Sequence, residues 1–135
     1  MISARSIFLS VLVVVASLAM VAYAAPAGNF TGHYSFGSPV AAGDDVQVTI
    51  SLDVTNNNSF DIRNAAIALH DPRAARVTYG NLNGLALPAG AATRVSGSFK
   101  VPRALFESWQ KGSSPAMSVS FSDAQSRPVQ MFIEF

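Results

Sequence analysis

Histidine is the residue type that most readily suggests catalysis here, and the chain has two. His33 lies beside Tyr34, and His70 is followed by Asp71 and Pro72. A hydrolytic triad would need a serine and an acid around one of these imidazoles. No serine stands in a nucleophile-elbow sequence of the form G-x-S-x-G. The pattern therefore favours strand-end and turn roles, and we predict no catalytic residue and no enzyme activity.

Four aspartates could contribute oxygen ligands to a calcium site, namely Asp44, Asp45, Asp53 and Asp61. Calcium takes six or more oxygens from a shaped loop. The stretch NNNSFD (56–61) offers one carboxylate and lacks the alternating acidic spacing of such loops. Turn residues in water are the favoured interpretation. The chain has no cysteine, which excludes thiol catalysis and thiolate metal sites. We predict no metal and no cofactor.

Aromatic and amide side chains could form a binding surface. Trp109 lies outside the predicted strands, and packing against Leu105 and Phe106 over the core is the competing role. The last predicted strand is apolar on both faces around Phe132, and an outward-facing Phe132 would need a cover. The candidate interaction residues are Trp109, Phe132, Asn57 and Phe60.

The start of the chain has the features of a secretory signal peptide. An uncharged apolar run over 7–24 follows Arg5 and ends in the small-residue pattern AYA. A positive flank, an apolar run and an A-x-A end are typical of cleaved signal sequences. The run is also near the length of a membrane span. We predict a signal peptide over 1–24, with an uncleaved anchor as the alternative, and hence a periplasmic, extracellular or cell-surface location.

The charge balance excludes two classes of partner. Arg5 is the only charged residue in 1–24, so the rest of the chain carries eight basic and eight acidic residues. A chain near neutrality lacks the basic footprint that nucleic acids or anionic membrane surfaces require. We therefore expect no nucleic acid, and membrane contact only through an uncleaved N-terminal segment. Without disulfides, the apolar core alone must stabilise the fold.

Period-two alternation predicts an all-β domain. VQVTISLDVT (46–55) alternates apolar and polar residues, as a strand with one buried face does. PRALFESWQKG (102–112) starts with proline and ends with glycine, which predicts a short helix near 102–111. The stretch 81–90 is expected to be a long turn. We predict a flexible leader over 25–31, then seven short strands within 32–135 that form an antiparallel sandwich.

Three segments resemble the broad immunoglobulin-like and fibronectin type III-like group of exported bacterial domains. They are VQVTISLDVTNNNS running into IRNAAIALHDP, LPAGAATRVSGSFKVP, and the closing hairpin. The resemblance implies a seven-stranded sandwich over 32–135. The chain departs from antibody domains because it lacks their paired cysteines and because Trp109 is not in a central strand.

Two functions are expected from this architecture, and a shared sandwich does not choose between them. The first is a non-catalytic module that mediates protein–protein interaction or has a structural role in the cell envelope, with another envelope or surface protein, or a second copy, as partner. The alternative is a carbohydrate- or small-ligand-binding domain that uses the loops 56–61 and 80–90 with Trp109.

Overall fold

The computed structural model describes residues 28–135. The predicted signal peptide or anchor over 1–24, and residues 25–27 of the predicted leader, lie outside the described residues. The strands are β1 (Phe30–Phe36), β2 (Val40–Ala42), β3 (Asp45–Asn56), β4 (Ile62–Asp71), β5 (Ala74–Leu87), β6 (Ala92–Pro102), β7 (Ala116–Ser122) and β8 (Pro128–Phe132), with the helix α1 (Arg103–Gln110) between β6 and β7. The all-β class is therefore confirmed.

Two antiparallel sheets contain all eight strands. In sheet 1, β3 pairs on one edge with β1 and β2 and on the other edge with β6. Sheet 2 has the order β5-β4-β7-β8. The chain crosses between the sheets after β3, after β5 and, through α1, after β6. The apolar faces of the two sheets meet in one core.

The alternation predicted for β3 is confirmed, and this strand supplies much of the core. Its five apolar side chains are at most 4% exposed, and they are Val46, Val48, Ile50, Leu52 and Val54. Burying each such side chain contributes about 1.5–3 kcal/mol. The intervening residues face the outside of sheet 1. β3 thus holds its sheet against sheet 2 along its whole length.

The segment after β8 connects the two sheets. The Ile133 N–H donates to the Met117 carbonyl in sheet 2 (2.9 Å), and the Gly32 N–H donates to the Glu134 carbonyl from sheet 1 (2.9 Å). The Glu134 N–H in turn donates to the Phe30 carbonyl at 3.0 Å. Gly32 is required at this close approach, since a Cβ there would lie 2.8 Å from a backbone oxygen of β3.

The strand count and two boundaries differ from the prediction. The short β2, which pairs with the start of β3 around a tight turn, makes eight strands instead of seven. β1 begins at Phe30, inside the predicted leader, because the fully buried Phe30 ring belongs to the core.

The predicted long turn over 81–90 is also wrong in its first part. β5 runs as far as Leu87, and its pairing with β4 shifts register several times. Gly80 and Gly84 take positive φ angles of 143° and 69° within the strand. These irregularities remove the period-two signal, so the sequence has the composition of a turn although the backbone still pairs.

The predicted short helix is confirmed as α1. It starts directly after Pro102, and Gly112, with φ 113°, follows its end. Phe106 and Trp109 form its buried face. Within residues 28–135, no helix is both long and apolar enough to cross a membrane.

Candidate binding pocket between two diverging strands

Asn56 organises the end of the fold at which β3 finishes. Its side chain is fully buried, and its Nδ2 donates to the carbonyls of Phe60 (3.0 Å) and Leu87 (2.8 Å). Its Oδ1 accepts from the backbone N–H and the Nδ2 of Asn58 at 2.9 and 3.0 Å. None of residues 56–58 has a positive φ, so left-handed backbone angles do not shape this loop. The side-chain amide closes the loop instead.

Asn57, one of the predicted interaction residues, connects this loop to the start of β1. Its Nδ2 donates to the carbonyl of Gly28 (2.9 Å) and to the hydroxyl of Thr31 (3.1 Å). Its backbone N–H donates to the Asn29 carbonyl at 2.9 Å. Although Asn57 is exposed, both hydrogens of its amide are already engaged within the chain.

Phe60, a second predicted interaction residue, lines a pocket of about 620 Å³. Its side chain is 48% exposed, and its ring centroid lies 6.1 Å from that of Phe121. The walls are mostly apolar, and this volume is within the range of ligand sites. The lining residues are Phe60, Asp61, Ile62 and Arg63 from one segment and Phe121, Ser122, Asp123, Ala124 and Gln125 from another.

The pocket exists because two neighbouring strands separate. β4 and β7 pair from His70–Ala116 as far as Ala66–Ser120, and this pairing does not continue towards the pocket. Asn64, at the point of separation, has a φ of 52°, and the pairing of β4 with β5 shifts register on both sides of Ala65. Such bulges bend a strand away from its neighbour. The start of β4 and the end of β7 thus become the two walls.

The charged side chains around the pocket differ in the partners that they have within the chain. Arg127 binds Asp123, with 2.9 Å between Nε and Oδ2, and the N–H groups of Arg127 and Gln125 also donate to this carboxylate. The Arg127 N–H, together with the Arg127 side chain, lowers the pKa of Asp123. Asp61 accepts from the Ala89 N–H at 2.9 Å. Arg63 is exposed and makes no ion pair among the residues that the structure describes.

Trp109, the third predicted interaction residue, lies in the core. It is 4% exposed, and its ring stacks on Phe36 with 5.4 Å between centroids and 6° between planes. Phe106 contacts it edge-on at 6.1 Å. A ring covered in this way has no face left for a ligand. Trp109 therefore packs over the core, which was the competing interpretation from the sequence.

Phe132, the fourth predicted interaction residue, faces outward from sheet 2 and is 48% exposed. Its ring lies 5.1 Å from that of His70, and Phe132 is not among the residues that line the pocket. The small side chains of Ala68 and Ser118 lie beside it on the outer face, since Ser118 pairs with both residues 68 and 132. The structure therefore does not bring Phe132 together with Phe60.

His70 makes the hydrogen bonds that a hydrolytic dyad would need, but both His70 and its serine partner are buried. Its Nδ1 lies against the Ala75 carbonyl, which makes Nδ1 the donor and leaves Nε2 to accept from the Ser118 hydroxyl at 2.6 Å. The Gln130 amide donates to the same hydroxyl oxygen at 3.2 Å. His70 is 3% exposed and Ser118 is fully buried. These bonds satisfy the polar groups internally.

His33 lies on the outer face of sheet 1, directly opposite Asp53 in the pairing with β3. Arg94, on the next strand, binds Asp53 through two hydrogen bonds of 2.9 and 3.1 Å. This guanidinium lowers the pKa of Asp53. The three side chains, with Tyr34 and nearby serines, line a shallow polar depression of about 340 Å³.

The four candidate calcium ligands are dispersed. Asp44 precedes β3 and Asp45 is its first residue, so both lie at the opposite end of that strand from Asp61. Asp53 is engaged by Arg94 and Asp61 by the Ala89 N–H. Within residues 28–135, no group of three or more acidic or histidine side chains is placed to hold a metal ion.

Comparison with known proteins gives structural neighbours only. No family model matches the chain, and no curated protein matches it. It is similar to an X-ray structure of a Northeast Structural Genomics Consortium target, with 6% identity over 78% of this chain and 80% of that chain and a TM-score of 0.41. It is also similar to a crystal structure of a protein from Archaeoglobus fulgidus, with 11% identity over 78% and 97% and a TM-score of 0.36.

Arg63 and the segment 122–125 were missed as pocket residues. Residues 123–127 form the hairpin loop between β7 and β8. Nothing in the sequence indicates that this hairpin lies next to the loop 56–61, because the β4–β7 pairing that brings them together joins residues about fifty positions apart. A polar Arg63 next to Asn64 at the start of an apolar strand was the available signal.

Proposed function

We propose that this protein is an exported, non-catalytic module of the immunoglobulin-like type that binds a protein partner through the pocket at Phe60. If β2 is counted with β1 as one interrupted edge strand, seven strands remain. They are divided three and four between two antiparallel sheets, with crossings between the sheets, as in immunoglobulin-like sandwiches. Export, to the periplasm, the extracellular space or the cell surface, is supported by the apolar run and AYA pattern before residue 25.

The exposure of Phe60 in the pocket is the observation that carries the proposal. A phenylalanine that is 48% exposed above a second ring leaves apolar area in water, and binding would remove that area. Apolar pockets that take an anchoring side chain are a common basis of protein recognition. The burial of Ser118 beside His70 supports a non-catalytic role, because a substrate carbonyl would have to reach a hydroxyl that has no exposed surface.

The test is a photocrosslink from the pocket in the cells that make the protein. A photoreactive phenylalanine analogue replaces Phe60, and in a control variant it replaces Val40. Val40 is 64% exposed and pairs with the opposite end of β3. We expect one protein partner to be captured from position 60 and not from position 40. Equal capture from both positions, or capture of no protein from position 60, would refute the proposal.

A carbohydrate is the second candidate ligand, and the polar depression at Asp53 favours it. Its hydroxyl, carboxylate and guanidinium groups are of the kind that bind sugar hydroxyls. The route through Trp109 is closed by the burial of that ring. Binding on a glycan array that is lost in Asp53→Ala and kept in Phe60→Ala would favour this second function.

A further inference from the structure

Two charged residues of the pocket wall, Asp61 and Arg63, have no counter-ion among the described residues. Asp123 is bound by Arg127, and Asp61 directs an oxygen to the Ala89 N–H in the turn after β5. Arg63 is among the residues that line the pocket, and its guanidinium has no carboxylate within 4 Å in the described part of the chain. A partner that buries the apolar walls would therefore also lie next to the cationic Arg63. A carboxylate on that partner would complement the charge of Arg63.

The walls of the pocket also present strand edges with which an extended polypeptide segment can pair. The first residues of β4 pair with β5 on one side and not with β7 on the other, and the last residues of β7 pair with β8 and not with β4. Asn64, with its φ of 52°, keeps the two strands apart. Strand edges that face such a gap can hydrogen-bond an added extended segment.

We propose that the pocket holds one large apolar side chain of an extended protein segment, and that an acidic residue adjacent to it in that segment pairs with Arg63. The proposal rests on the proposed function and specifies the partner's chemistry. The apolar side chain contacts Phe60 and Phe121 and supplies most of the affinity. The acidic neighbour supplies selectivity, because Arg63 is the cationic residue of the lining and has no carboxylate partner among the described residues.

Three capped peptides separate these contributions: acetyl-Glu-Phe-Glu-amide, acetyl-Gln-Phe-Gln-amide and acetyl-Glu-Ala-Glu-amide. Each is titrated into the ¹⁵N-labelled full chain in mild detergent, and the amide shifts of Ile62, Arg63 and Ser122 report binding. We expect the Glu-Phe-Glu peptide to bind about two- to five-fold more tightly than the Gln-Phe-Gln peptide, as an exposed ion pair allows. The alanine peptide should produce no saturable shift.

Substitutions at Arg63 assign the preference to that side chain. Arg63→Gln should remove the preference for the acidic peptide and leave the affinity of the Gln-Phe-Gln peptide unchanged, whereas Arg63→Lys should keep most of the preference. Arg76→Gln is the matched control. It removes the same charge from an exposed position on β5, outside the pocket, and should keep the full preference.

Each contrary result overturns the inference. These results are equal affinity for the acidic and amide peptides, a preference that survives Arg63→Gln, saturable binding of the alanine peptide, and the absence of shifts with all three peptides. The proposed function fails separately, through the crosslink. If position 60 still captures a protein while the peptides show no charge preference, binding at the pocket stands and the role of Arg63 is rejected.

Discussion

The side-chain amide of Asn56 donates a hydrogen bond to the carbonyl oxygen of Leu87, with 2.8 Å between the two atoms. This bond joins the last residue of β3 in sheet 1 to the last residue of β5 in sheet 2. The same nitrogen donates to the Phe60 carbonyl, so one buried amide connects the two sheets and holds the backbone from which the pocket ring projects.

Replacing Asn56 should therefore destabilise the whole domain. Asn56→Ala leaves two carbonyl oxygens and the Asn58 amide without their partner in a buried position, and we expect a loss of about 2–3 kcal/mol in the free energy of unfolding. Urea denaturation followed by circular dichroism measures it. Asn57→Ala, which removes an exposed amide from the next position, is the control and should cost less than about 1 kcal/mol. Equal losses for the two variants would contradict this role of Asn56.

Trp109 and Phe60 should have opposite effects on stability and binding. Trp109→Ala removes a buried ring that stacks on Phe36, which we expect to cost about 3–5 kcal/mol. Phe60→Ala removes a half-exposed ring, so we expect a cost of about 1 kcal/mol or less together with the loss of partner binding. Urea midpoints give the first comparison. Normal partner binding by a folded Phe60→Ala variant would show that the pocket is not the binding site.

Acid should weaken the fold through two turn carboxylates. The Arg73 N–H, followed by the Tyr79 hydroxyl, lowers the pKa of Asp71, and bonds from Arg127 lower the pKa of Asp123. A carboxylate with a lowered pKa in the folded state stabilises the protein above its ordinary pKa of 3.8. That contribution is lost as the pH falls through the lowered value.

Urea midpoints measured from pH 6 down to pH 2 test this dependence. The wild-type midpoint should fall below about pH 4, and Asp71→Asn and Asp123→Asn should each make that fall smaller. The variants are already weaker at pH 6, because the amide cannot replace the ionised acceptor. If both variants lose as much stability on acidification as the wild type does, these two carboxylates are not its source.

Ser118 should be unreactive despite its short hydrogen bond to His70. A fluorophosphonate probe labels serines whose hydroxyl is both activated and accessible, and this hydroxyl has no exposed surface. We expect no labelled Ser118 peptide by mass spectrometry, with an added serine hydrolase as the positive control in the same tube. Labelling that disappears in His70→Ala would reveal a catalytic pair.

Much of the secondary structure follows from side-chain periodicity. β3 and β6 alternate regularly because each has one face on the core and one in water, and α1 is bounded by Pro102 and Gly112. The part of β5 after Gly80 was predicted to be a long turn, because its irregular pairing with β4 replaces alternation with a mixed exposure pattern. Local patterns thus predict regular elements and miss those whose regularity is interrupted by bulges.

The candidate site was less predictable than the elements around it. Phe60 was one of the predicted interaction residues, and it lines the pocket. Trp109 was identified because it lies outside the predicted strands, yet its environment is set by Phe36, which is more than seventy positions earlier in the chain. Exposure of an aromatic ring depends on which distant segment covers it, and a single sequence does not contain that information in any local pattern.

The bonds between Glu134 and the residues before and within β1 have a kinetic consequence. The Gly28–Glu134 contact spans 106 positions. Domains dominated by such distant contacts have a high contact order and fold slowly. On the ribosome, the outer edge of β1 has no partner until those late residues emerge, so the nascent chain presents an open strand that can pair with other chains. Completion of this edge therefore waits for a residue 106 positions after Gly28, and a chaperone that shields β1 until then would raise the yield of native protein.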